Sequence, residues 1–273
     1  PRSTLFPYTT LFRSLINFAH GDIFMLGAYF VYFATVVFKL PWVVGVALAI
    51  LGATVCGLLV DRVAYRPLRS APRISALISA IGVSFLLEYV MMAIVSPTPR
   101  TFPPLFQDVA FSVGSLVING QQMLILGITC FLMIVLTYIV QYTKIGKAMR
   151  AASYDTETAQ LMGINADRVI SFTFWIGSSL AAVAGVLVGV YYNSIDPLMG
   201  IMPGIKAFVA AVFGGIGILP GAVAGGLILG IVEAFVSGFV SSTFRDAAAF
   251  AILILVLLFK PAGLFGKNTR EKV

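Results

Sequence analysis

About eight apolar runs divide this sequence, most of them near the ~20 residues that a helix needs to cross a hydrocarbon core. They cover residues 21–38, 42–60, 74–95, 123–142, 169–191, 198–219, 221–240 and 247–259. In lipid every backbone N–H and C=O must be satisfied within its own segment, so the runs read as helices. The expected fold is therefore an all-α, polytopic transmembrane bundle. The first and last runs are short, and 198–219 carries Pro203, Lys206 and several glycines, so these three are the least regular.

Charge is scarce, at 11% of residues, and its placement sets orientation. The gap at 61–73 holds Arg62, Arg66, Arg69 and Arg73, and the gap at 144–168 is also basic. Both belong on the cytoplasmic side. Between them, 96–122 has Arg100 as its only basic residue and belongs outside. The tail carries Lys260, Lys267, Arg270 and Lys272, which puts the C-terminus in the cytoplasm. With 192–197 outside, an odd number of crossings must follow, so 198–219 is expected to cross. The net charge of +7 is spread over these gaps rather than gathered on one face, which argues for membrane lipid and against nucleic acid as the partner.

Catalytic chemistry finds no foothold. Cys56 and Cys130 both lie inside apolar runs, and His20 is the only histidine, so neither a disulfide framework nor a multi-histidine metal centre is expected. Gly146-Lys147 is followed by Ala148 and Gly266-Lys267 by Asn268, so neither forms a phosphate-cradling loop. No nucleophile elbow is present. The chain is not expected to be an enzyme, and any ATP hydrolysis must come from another chain.

The gap at 144–168 has internal order. Asp155 can cap a short helix, with Thr156 and Glu157 in its first turn and Gly163 as its stop. Asn165 can then cap the next membrane helix. A connection that only links two spans needs no capped helix, whereas a membrane protein pushed by a soluble partner does.

Within the runs, Gly177, Ala181, Gly185 and Gly189 lie four apart, as do Ala222, Gly226 and Gly230. Such stripes let helices approach closely, although glycine is also simply common in membrane helices. Gly214, Gly215 and Gly217 with Pro220 and Gly221 mark a sharp break between two helices. Glu88 and Glu233 are carboxyls at membrane depth. They are either coupling sites on a transport path or groups hydrogen-bonded to a neighbouring helix or the interface. Asn17, His20 and Gly21 stand before an apolar run. They fit a broken helix whose positive end faces a passing carboxylate, or equally an interfacial cap with His20 among headgroups.

Residues 1–14 are expected to be non-native, since residues 4–14 equal one reading frame of a common sequencing adapter. The remainder, 15–273, is then one domain.

Several motifs, in order, resemble a known family. They are Ile16-Asn17-Phe18-Ala19-His20-Gly21 with Gly27, and Ala64-Tyr65-Arg66-Pro67-Leu68-Arg69 leading into Leu77-Ile78-Ser79-Ala80-Ile81-Gly82. Next come Gly146, Arg150, Ala151, Ala159, Leu161, Gly163, Ile164, Asn165 and Arg168, then Lys206-Ala207-Phe208. Gly214-Gly215-Ile216-Gly217 with Pro220-Gly221-Ala222, and Pro261-Ala262-Gly263-Leu264-Phe265-Gly266, complete the set. Over 15–273 the chain resembles the LivH-type permeases of bacterial ABC importers for branched-chain amino acids. The resemblance implies a multi-pass protein of the bacterial inner membrane and a translocation path shared with a second, LivM-type permease. It also implies two ATP-binding subunits, which would hold ATP and Mg, and a periplasmic binding protein delivering leucine, isoleucine or valine. No cofactor is implied in this chain. By the same resemblance Gly146, Arg150, Asn165 and Arg168 belong to the ATPase-coupling loop, and the segment 159–165 would be the helix that docks on the ATPase, with Ala159 and Gly163 keeping one face small and Leu161, Met162 and Ile164 giving apolar contact. Family members carry a helix before Asn17, where this sequence has its adapter-like opening. An ion-coupled carrier, or a passive channel for a small polar solute such as urea or an amide, is the alternative.

Overall fold

The computed structural model describes residues 19–69, 71–105, 110–113, 116–215, 217–260 and 263–266. Residues 1–14, Asn17, Ile216, Pro261, Ala262, Lys267, Arg270 and Lys272 lie outside the described residues. The chain packs as two units, Pro1–Gly200 and Ile201–Val273. Among the described residues, seven helical stretches are long and apolar enough to cross a membrane.

In the first unit, α1 (His20–Tyr32) continues through a π turn at Phe33–Val37. α2 (Trp42–Val60) continues through a π turn at Asp61–Tyr65 and a 3-10 turn at Arg66–Leu68. Then follow α3 (Arg73–Val95), β1 (Arg100–Thr101), β2 (Ala110–Val113), β3 (Leu116–Asn119) and α4 (Gly120–Tyr142). α5 (Lys144–Tyr154), α6 (Thr156–Leu161), α7 (Ala166–Tyr192) and β4 (Ser194–Ile195) complete it. β2 pairs with β3, and β1 with β4, both antiparallel.

The core is the three-way packing of α1, α2 and α7. In lipid, apolar burial no longer drives helices together, so close van der Waals fit must do so. The stripe on α7 supplies that fit as expected. A Cβ on Gly185 would run into the Phe24 carbonyl of α1, and one on Gly189 would stand 3.2 Å from the Phe102 ring. Ala181 is buried, and Gly177 faces His20. Tyr29, Phe102, Ile195 and Val190 fill the interior above this seam. α4, by contrast, exposes Phe131, Ile134 and Tyr138, a surface suited to lipid rather than water. Arg100, the sole basic residue of its connection, donates to the Val95 carbonyl at 2.7 Å and so caps the end of α3.

In the second unit, α8 spans Ile201–Gly214, α9 Leu219–Phe239 and α10 Arg245–Phe259. Of the run expected to cross at 198–219, α8 takes 14 residues, about 21 Å at 1.5 Å per residue. That is short of the ~30 Å core. Pro203 does not break it, because it stands near the start, where its missing N–H costs little. The break at Gly214–Gly221 is where it was expected. Gly215 and Gly217 take φ of +108° and +88°, which only glycine adopts freely, and α9 then starts with Pro220 near its N-terminus.

α9 returns antiparallel to α8, with Gly221 against Gly214 and Gly225 against the Ala210 carbonyl. α10 runs back alongside them. Leu264 N–H and Phe265 N–H then donate to the Phe213 and Gly214 carbonyls at 2.8 and 3.3 Å, satisfying the last turn of α8. The expected stripe on α9 is off by one position. Gly221, Gly225 and Leu229 are buried at the seam. A Cβ on Gly226 would meet only Ala210 at 3.9 Å, and one on Gly230 would meet nothing within 4 Å. The hydropathy of α9 is high all round, so its sequence does not reveal which glycine face turns inward.

Candidate functional sites: a polar cluster inside the first unit and a capped helix at its charged end

Asp22, in the first turn of α1, accepts a hydrogen bond from Ser84 Oγ at 2.5 Å. Ser84 is about halfway along the 23-residue α3. His20 stands 3.5 Å from the place of a Cβ on Gly177, which is nearly halfway along α7. Two independent neighbours therefore put the start of α1 deep within the bundle. Gly21 does not bend the chain; it lies within α1, and its carbonyl is covered by Gly200 so closely that a Cβ there would clash.

Glu88 is one turn beyond Ser84 on the same face of α3. Its carboxyl is within hydrogen-bonding reach of Asp22 and Ser84. Asp22 is 2% and Glu88 5% exposed. The cap position of α1 is Ala19, which makes no side-chain cap, and two carboxyls stand beside that helix start. Asp22 was not singled out in the sequence. The signal was there: a carboxylate at the head of the run 21–38, and a Ser–Glu pair four apart in the run 74–95.

Glu233 is different. It pairs with Lys206 Nζ at 3.0 Å, Lys206 also pairs with Asp246 at 2.7 Å, and Arg245 lies 3.7 Å from Glu233. Its partner sits on α8, a helix away in space and 27 positions away in sequence, which explains why no partner was visible within its own run. This network ties α8, α9 and α10 together. Removing one member of a largely buried pair strands the others, at a cost of about 3 kcal/mol. Lys206→Met should therefore lower the unfolding temperature of the detergent-solubilised protein, and adding Glu233→Gln should recover part of the loss. Unchanged stability in Lys206→Met would remove the network from the account of this unit.

The gap at 144–168 folds into α5, α6 and the start of α7. Thr143 caps α5, its Oγ1 accepting from Gly146 N–H at 3.0 Å. Asp155 caps α6 by accepting from Glu157 and Thr158 N–H at 3.0 and 3.2 Å, and Asn165 caps α7 by accepting from Arg168 N–H at 3.0 Å. Gly163 ends α6 at φ +85°. Both expected caps and the stop are thus present, while α5 was not anticipated despite the Thr143 signal.

Several of the implied docking residues instead build the loop. A Cβ on Gly146 would collide with the last carbonyls of α4, and Arg150 donates to the Val140 and Gln141 carbonyls there. Ala159 is 4% exposed and turns inward, so the small face it was expected to offer a partner is used within the chain. Ile164 is half-buried. Leu161 and Met162 are 87% and 80% exposed, with Gly163 and Arg168 also exposed. Two adjoining apolar side chains held out by a capped helix form a surface that needs covering. Among the described residues no three of His, Cys, Asp and Glu gather as a metal site.

The model of the family described as "Branched-chain amino acid transport system / permease component" matches residues 10–259. The high-affinity branched-chain amino acid transport system permease protein LivH of Escherichia coli is 43% identical, the match covering 95% of this chain and 88% of that protein. The permease protein BraD of Pseudomonas aeruginosa is 41% identical with the same coverage. The ribose import permease protein RbsC of Haemophilus influenzae is 30% identical over 44% of this chain and 39% of its own length. No solved structure matches.

Proposed function

This chain belongs to the branched-chain amino acid transport system permease family, and from that premise we propose that it is the membrane-spanning subunit of an ATP-driven importer, passing leucine, isoleucine or valine across the inner membrane. The observation that carries the reading is α6, with Leu161 and Met162 presented to solvent between two side-chain-capped helices. Separate ATPase subunits dock there, and a second, related permease completes the path. A binding protein outside delivers the substrate. The C-terminus lies in the cytoplasm: α8, α9 and α10 alternate in direction, and the tail returns to the α8–α9 turn, in keeping with the basic tail. The polar cluster of His20, Gly21, Asp22, Ser84 and Glu88 borders the path. Glu233 is assigned to packing.

The ion-coupled alternative loses Glu233 to its ion pairs. Reconstitution separates the two readings. Liposomes holding the chain with its partner subunits and binding protein should accumulate branched-chain amino acid only when ATP is inside the compartment that faces the ATPases. Accumulation by the chain alone under a proton or sodium gradient would overturn the proposal.

A further inference from the structure

At the charged end of the first unit, one side chain ties three elements together. Asp61 opens the π turn after α2 and is 1% exposed. It accepts from Arg69 Nη2 at 2.6 Å on one oxygen and from Ser171 Oγ of α7 at 2.6 Å on the other. Arg69 Nη1, the other prong of the same guanidinium, donates to Asp167 in the first turn of α7. Arg66 approaches the second oxygen of Asp167 at 3.4 Å.

The two prongs have unequal work. A carboxylate as buried as Asp61 needs a cation, and one prong of Arg69 together with Ser171 satisfies it. Asp167 is 48% exposed, so water can solvate it, and an exposed ion pair adds little stability. What the second prong adds is geometry. A planar guanidinium holds two acceptors at a fixed spacing, here the end of α2 and the base of α7. Asp167 stands two residues after the Asn165 cap, directly beyond α6.

We infer that Arg69 is a positioning residue, which makes the start of α7, and with it α6, move as one body with the end of α2. The inference rests on the reading of α6 as the ATPase docking helix. A push on α6 then reaches α2, and α1 packed against it, through a side chain at the charged end as well as along α7.

Asp167→Ala in the full chain, assembled with its partners, tests this. Because Asp167 is half exposed and Asp61 keeps its own partners, the variant should fold and retain its ATPases. Substrate moved per ATP should fall about fivefold or more, the lower end of ordinary coupling between sites. Asp167→Glu, which restores an acceptor within reach, should recover most of it. An unchanged ratio in Asp167→Ala overturns the inference, because a merely charge-neutralising Arg69 would not notice the loss. Loss of the ATPases from the purified complex also overturns it, since Asp167 would then be a docking residue. The docking reading fails by a separate result, full transport when Leu161 and Met162 are both made charged, and that outcome is independent of the Asp167 ratio.

Discussion

Gly185→Leu should unfold well below the unaltered protein. Even the first carbon of the new side chain would overlap the Phe24 carbonyl, which is backbone and cannot swing aside. α1 and α7 would have to separate along the seam that also holds Ala181 and Gly189. Overpacking in a well-fitted core costs about 1–3 kcal/mol and sometimes more, and a seam made of two backbones belongs at the upper end. For a chain of this size that is a drop of about 10 °C in unfolding temperature. Gly230→Leu on α9 is the matched control, because a Cβ there meets nothing within 4 Å. Thermal unfolding of the two purified variants in one detergent decides the matter. Equal stability would mean that the α7 stripe is not the packing surface it is taken to be.

The second large effect is functional. Leu161→Glu with Met162→Glu should lower ATP-driven uptake about 30-fold or more, taking ~2 kcal/mol for the loss of a central apolar anchor at an interface. The chain itself should remain folded, since both side chains point into solvent. Uptake should fall together with the amount of ATPase that co-purifies. The same test at Ala159 would be uninformative. A charged residue there would first unseat α6 from its own chain, and transport would fail for that reason.

This contrast shows what can be read from residues in order. Hydropathy and loop charge located the spans closely, because a bilayer imposes a length and forbids unpaired backbone whatever the neighbours are. The caps at Asp155 and Asn165 and the stop at Gly163 were legible for a similar reason: they act on the backbone within three residues of themselves. The direction in which a side chain faces on a six-residue helix is not local in this sense. Ala159 turned inward and Leu161 outward because α5 and α7 happen to lie on one side. Gly146 and Arg150, which resemblance assigned to docking, hold the end of α4. Glu233 looked unpaired because Lys206 and Arg245 are on other helices, and Asp22 passed unremarked until α3 was placed beside it. Long-range pairing was thus the main loss, and with it the difference between a site and a brace.

The length of α7 has a consequence beyond packing. Its 27 residues make a rod of about 40 Å, some 10 Å longer than a hydrocarbon core of ~30 Å. Such a rod must lean or stand proud of the bilayer, and how far it leans depends on how thick the lipid is. Because α6 joins its base with only a short turn between them, any change in lean is delivered to Leu161 and Met162. Acyl-chain length in the surrounding membrane thereby becomes a setting on the angle at which that exposed apolar pair is presented.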